Sequence, residues 1–218
     1  MPDITLYGIA VSAFVAKVRI VLDMKGLDYA ELPPPAGYGS PEYRATVPSG
    51  SVPGMVIDGA AIHDSNAIIE LLEEIAPSPP LLPPDPIARA KTRALLGFHD
   101  TRVEAAARAL FPLIKGDWRA EPDAVKSGTK GINAALLRLE EIIAPAPFIN
   151  GRAPSVADIA YPVTIQMARM MLKEMEQTLQ IPDGIAAWHG TVSALPAVAR
   201  SLEIAHDAME GWLVGFRR

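Results

Sequence analysis

The segment from Pro77 to Pro86 constrains this chain more than any other, because six of its ten residues are proline. Each proline fixes φ and removes a backbone donor, so the stretch can be neither helix interior nor central strand. It reads as a stiff, extended connection. That divides the chain into a first domain over residues 1–77, a linker over 78–86 and a second domain over 87–218. The charge balance shifts across the boundary: residues 1–80 carry 4 basic and 10 acidic side chains, and residues 81–218 carry 16 and 15.

Hydrophobic periodicity predicts an α+β first domain. Ile4-Thr5-Leu6-Tyr7 alternates as a short strand that ends at Gly8. Between Ser12 and Lys25 the residues Val15, Val18, Ile20, Val21 and Leu22 recur at helical spacing, interrupted by Lys17, Arg19 and Asp23. Gly26 follows where a helix C-terminus favours positive φ. Tyr29 to Leu32 is a second strand, stopped by Pro33-Pro34-Pro35, and the Gly-, Pro- and Ser-rich residues 36–51 predict loop. Met55-Val56-Ile57, Asp58-Gly59 and Ala60-Ala61-Ile62 predict a hairpin turned on Asp-Gly. Asp64-Ser65 then caps a helix to about Ile75, with Ala67, Ile68, Leu71, Leu72 and Ile75 as its apolar face. The order is βαβ-loop-ββα.

The second domain reads as an all-α bundle, with helices over about 87–115, 123–144, 156–176, 183–194 and 196–210. Ser155-Val156-Ala157-Asp158 is a variant of the capping box at the start of the third. Met167, Met170, Met171 and Met175 form a stripe suited to core packing.

Composition removes several function classes. Hydrophobic residues make up 50% of the chain and charged residues 21%, as in a globular protein. There is no cysteine, hence no disulfide framework, zinc ribbon, thiol nucleophile or protein dithiol. A net charge of −5 with no Lys/Arg block argues against nucleic acid as a partner. No apolar run approaches the roughly 20 residues that span a bilayer, and no basic-then-apolar leader opens the chain, so a cytoplasmic protein without a membrane partner is expected. His63, His189 and His206 have no metal-like spacing with carboxylates, and no metal site is expected.

Three short stretches go further: Leu6-Tyr7-Gly8 with Ser12 and Val18-Arg19 behind it, Ser51-Val52-Pro53, and Asp64-Ser65-Asn66-Ala67-Ile68. Together with Ser155-Val156-Ala157-Asp158, in this order and at these separations, they resemble the cytosolic glutathione transferases of the serine type, bacterial-like, over essentially the whole chain. The resemblance implies a thioredoxin-like N-terminal domain, an all-α C-terminal domain, glutathione as co-substrate and a homodimer. It implies a role in detoxification, through attack of the bound thiolate on a small hydrophobic electrophile.

The same resemblance assigns residues. Ser12 is the implied catalytic group, a hydroxyl that donates to the glutathione sulfur and favours the thiolate; read from the residues alone it is equally the cap of the helix carrying Val15 and Val18. Phe14, Ser51, Val52, Pro53, Asp64 and Ser65 are the implied glutathione-binding residues. Val52-Pro53 is implied to be a cis bond whose leading residue presents its N–H and C=O to the cysteinyl part. Ser65 and the first turn behind it suit the γ-glutamyl carboxylate, and Asp64 suits the ammonium. Tyr7, His99, Arg102 and Phe111 are candidates for the co-substrate pocket, with Tyr7 the fallback thiolate donor, since the tyrosine slot of other family members falls on Gly8.

One departure concerns Ser51, which stands where the family often places a lysine against the glycyl carboxylate. Loss of that charge-assisted contact is worth about 1–3 kcal/mol unless another cation, such as Arg44, replaces it. Beside conjugation, two alternatives remain open: glutathione-dependent isomerase or peroxidase chemistry, for which Ser12 also serves, and a non-catalytic ligand-binding or interaction protein on the same fold.

Overall fold

The structure, a computed structural model, describes residues 2–217. The chain divides into two compact units, Met1–Leu82 and Pro83–Arg218. In the first, β1 (Ile4–Tyr7) leads through α1 (Ala13–Lys25) to β2 (Ala30–Leu32); α2 (Pro41–Thr46) follows, then β3 (Gly54–Ile57), β4 (Ala60–His63) and α3 (Ser65–Ile75). The strands form one sheet in the order β2-β1-β3-β4, with β1 parallel to β2 and the other neighbours antiparallel. A parallel β1–β2 pair needs a crossover, and α1 is that crossover. This is a thioredoxin-like unit, βαβ then ββα, with α2 between the two halves.

Local chemistry sets the element ends. Gly26 ends α1 at φ 63, where a Cβ would be strained. Asp58 and Gly59 take φ 47 and 84, the mirror-image turn whose twist matches a two-residue hairpin. Two expectations need correction. Residues 36–51 are not all loop, because Ser40 caps α2 through its hydroxyl and Pro41 occupies the first turn, where its missing N–H is no loss. The buried face of α3 is Ser65, Ile68, Ile69 and Leu72, which leaves Ala67 exposed and Ile75 44% exposed, because the helix turns its Ile68/Leu72 side towards the core.

Buried charges tie this unit together. Arg19 is fully buried and grips Glu31 of β2 with Nε at 2.7 Å and a second guanidinium nitrogen at 2.5 Å. Lys25 ends α1 by bonding the carbonyls of Ala76 and Pro79 at 2.6 and 3.1 Å and pairing with Glu73 at 2.6 Å. Glu73 also accepts the N–H groups of Leu81 and Leu82, both buried. The proline-rich segment is therefore shared: its first half is fastened to the sheet-bearing unit, and its second half opens the other.

The second unit holds α4 (Pro86–Phe98), a π-helical turn over His99–Val103, α5 (Glu104–Arg108), α6 (Phe111–Lys115), a 3-10 turn over Trp118–Ala120, α7 (Pro122–Ile142), α8 (Val156–Ile159), α9 (Pro162–Glu174), α10 (Asp183–Ser193) and α11 (Pro196–Val214). The predicted helix over 87–115 is thus three helices around a π turn, and the one over 156–176 is broken at Pro162, whose ring cannot continue the ladder. Met167, Met171 and Met175 lie in the core, with Met170 half-buried. Asp158 is fully buried yet accepts four hydrogen bonds, from the N–H and hydroxyl of Ser155, the N–H of Ile149 and the indole of Trp188, all at 2.7–2.9 Å. A buried carboxylate is tolerable when its lone pairs are used this fully.

Candidate active site

One row of the sheet decides where the site falls. Tyr7 of β1 pairs with Gly54 of β3, and Gly54 pairs in turn with His63 of β4. Ser12 follows β1, Val52-Pro53 precede β3 and Asp64-Ser65 follow β4, so all three leave the sheet at the same end.

Ser12 begins α1 in extended conformation, and its Oγ accepts the Val15 N–H at 3.3 Å. The side chain acts there as an acceptor, and no protein group among the described residues takes its proton. Capping and donation are compatible, since a hydroxyl has one proton and two lone pairs. Ser12 is 5% exposed, so a ligand atom reaching it meets a nearly dry hydroxyl at the positive end of a helix. Gly8 lets β1 leave the sheet close over α1, for a Cβ there would stand 2.4 Å from a Val15 methyl.

The Val52–Pro53 peptide is cis. Outside the strands, the backbone N–H and C=O of Val52 take no backbone partner among the described residues. The Ser51 carbonyl accepts the Tyr43 hydroxyl at 2.9 Å, and the Ser51 Oγ lies 2.9 Å from that of Ser49. Tyr43 escaped the sequence reading because residues 36–51 read as loop; the Ser40-Pro41 helix start was the signal that would have placed it. It is fully buried, and burial, with the neighbouring Tyr7 phenol second, pushes its pKa up to about 12, so it stays a donor at any physiological pH. Gly54 is required beside it: a Cβ would fall 2.4 Å from the Tyr43 oxygen.

At the third corner Asp64 sits at φ 71 and caps α3, its Oδ1 accepting the N–H groups of Asn66 and Ala67 at 2.9 and 3.1 Å. Those two donors are thereby spent inside the protein. What the first turn offers a ligand is the N–H and hydroxyl of Ser65, while Asp64 keeps its second oxygen. Ser65 is 5% exposed.

The remaining candidates separate. Phe14 is half-buried, with the Lys17 ammonium 5.1 Å from its ring centroid. Tyr7 packs on Tyr43 at 5.6 Å between centroids. His99, Arg102 and Phe111 belong to the helical unit. Phe111 packs against Trp212 at 5.3 Å, and Trp212 against Phe216 at 4.8 Å, while Arg102 is exposed. His99 is fully buried, 2.9 Å from the Thr164 hydroxyl and 2.7 Å from Asp100, edge-on to Tyr161. Thr164 donates onward to the buried Glu104 at 2.6 Å. Among the described residues no cluster of three or more His, Cys, Asp or Glu is arranged to hold a metal ion.

A thioredoxin-like unit with a cis proline, a hydroxyl-capped helix and a serine at a second helix start, followed by a helical unit, defines the class, and the sequence agrees. Residues 6–80 match the family model described as "Glutathione S-transferase, N-terminal domain". The maleylacetoacetate isomerase of Pseudomonas aeruginosa is 31% identical over 150 residues, spanning 66% of this chain and 71% of that one. The rat maleylacetoacetate isomerase is 33% identical over 161 residues, spanning 71% and 73%. A Tau class glutathione S-transferase from mango superposes with a TM-score of 0.82 at 22% identity, over 97% of this chain and 98% of that one. The chain belongs to the cytosolic glutathione transferase family.

Proposed function

We propose that the protein binds glutathione at this end of the sheet and that Ser12 stabilises its thiolate for attack on a small apolar electrophile. The observation that carries the reading is the Ser12 hydroxyl itself: anchored as an acceptor to Val15 at 3.3 Å, it has its proton left for a sulfur. A donated hydrogen bond and the helix N-terminus both favour the charged form, so the glutathione thiol titrates below its free value of about 8.5. Val52 offers its N–H and C=O to the cysteinyl unit. Ser65 takes the γ-glutamyl carboxylate, and the spare oxygen of Asp64 takes the ammonium. Arg44 supplies the cation missing at Ser51: its Nε lies 2.9 Å from where a Cβ on Gly50 would stand, so the side chain crosses the backbone one residue before Ser51.

A second reaction on the same site is isomerisation, favoured by the two relatives named maleylacetoacetate isomerase. It asks the same of Ser12, since a thiolate that adds to an activated double bond and leaves again is still the nucleophile. A cytoplasmic homodimer with a detoxifying role completes the reading.

The test is glutathione binding by calorimetry, with turnover of a chlorodinitrobenzene by wild type and Ser12→Ala. Binding at millimolar glutathione, with turnover reduced about ten- to a hundredfold in Ser12→Ala, is expected. No binding by wild type contradicts the glutathione reading; unchanged turnover in the variant removes Ser12 from the mechanism.

A further inference from the structure

Lysine is almost never fully buried without a reason, because its ammonium loses hydration that the interior must replace. Lys17 is completely buried in α1, five residues beyond Ser12. Its ammonium donates to the Asn66 Oδ1 at 2.7 Å and stands over Phe14. Asn66 lies in the first turn of α3, next to Ser65, and its backbone N–H is held by the Asp64 carboxylate at 2.9 Å. One chain of contacts therefore runs from the helix that carries Ser12, through Lys17 and Asn66, to Asp64 and Ser65. Asp64 occupies φ 71, a region where a non-glycine residue persists only when its surroundings fix it.

We infer that Lys17 is a positioning residue for the tripeptide thiol: through Asn66 it fixes the first turn of α3 relative to α1, and its charge favours anions bound at the two helix starts. The inference rests on the glutathione reading, from which it is separable. Lys17 touches no ligand in this scheme. It holds Ser65 and Asp64 in register for the γ-glutamyl end, and it adds a positive charge on the same helix that Ser12 caps, five residues further on. A salt-like strut within the fold and nothing more would stabilise the protein without affecting either ligand property.

The experiment is a double-mutant cycle on the full chain, with Lys17→Met, Asn66→Ala and the pair together. It reads glutathione affinity by calorimetry and the pKa of the bound thiol by ultraviolet titration of the thiolate. Each single variant is expected to weaken glutathione binding about tenfold, and the double variant to lose less than the two single losses combined, because the two residues share the Lys17–Asn66 contact. Lys17→Met is expected to raise the bound thiol pKa by roughly half a unit, and Asn66→Ala to leave it unchanged, since that variant keeps the charge. Asn66 is only half-buried, so its variant stays informative if Lys17→Met fails to fold. Unaltered affinity in Asn66→Ala overturns the inference, as do additive losses across the cycle or a bound thiol pKa unmoved in a folded Lys17→Met. Absence of glutathione binding by the wild type overturns the underlying reading instead.

Discussion

Ser12 and Asp64 each serve the fold with one part of a side chain and leave another part without a protein partner among the described residues. The Ser12 oxygen caps α1 while its proton stays available, and one Asp64 oxygen caps α3 while the other stays available. The capping roles were readable from residue type, since Ser and Asp are preferred caps, and the ligand roles proposed above ask for the same polar groups. Which atom performs which role was not, because that depends on rotamers. The same scale sets a pH dependence. Burial lowers the His189 pKa; the Pro162 backbone opposes this, and Arg169 lowers it further. A base with a depressed folded pKa binds fewer protons in the native state than in the unfolded chain, where it titrates near 6.5. Its contribution is therefore intact above about 6.5 and is lost as pH falls through the folded pKa. His189→Gln should flatten the decline of melting temperature between neutral pH and about 5.5, measured by calorimetry. An equal decline in variant and wild type would contradict this.

At the scale of elements, α2 is a short helix whose function is to bring Tyr43 beneath the loop before the cis proline. The buried phenol fixes the Ser51 carbonyl, and Gly54 leaves room for it. Gly54→Ala places a methyl 2.4 Å from the Tyr43 oxygen and 2.8 Å from the Val47 methyls. The expected loss is about 1–3 kcal/mol by denaturant unfolding, together with weakened glutathione binding. Adding Tyr43→Phe, which removes the nearest atom, should recover part of that loss. Unchanged stability in Gly54→Ala would mean the loop is not held in this way. The strands, α1, the Asp58-Gly59 turn and α3 were legible because local signals suffice for them: alternation, a capping residue, a positive-φ glycine. The π turn at His99–Val103 was not, since the Thr164 hydroxyl that receives His99 lies 65 residues away and leaves no trace in local periodicity. By periodicity alone the buried Lys17 and Arg19 of α1 read as interruptions of an apolar face. Their meaning came from Asn66 and Glu31, supplied by other elements.

For the molecule as a whole, the ordering of short motifs carried more information than any one of them. Separately, Val-Pro, Asp-Ser and a serine after a strand are commonplace; the sheet explains their separations, because the Tyr7–Gly54–His63 row delivers each to one end. The prolines of residues 77–86 mark where two units part, yet Lys25 and Glu73 secure the first half of that segment to one of them. The proposed homodimer should sediment at about twice the 23.3 kDa of the chain at micromolar concentration, and a monomer there would contradict that assembly. In the proposed reaction a serine activates a sulfur that the ligand must bring, in a chain with no cysteine of its own. The most direct measurement is the pH titration of the thiolate absorbance of glutathione bound to wild type and to Ser12→Ala. The expected result is a bound thiol pKa well below about 8.5 in the wild type and a return towards that value in the variant. Superimposable titrations in two proteins that both bind glutathione would contradict it.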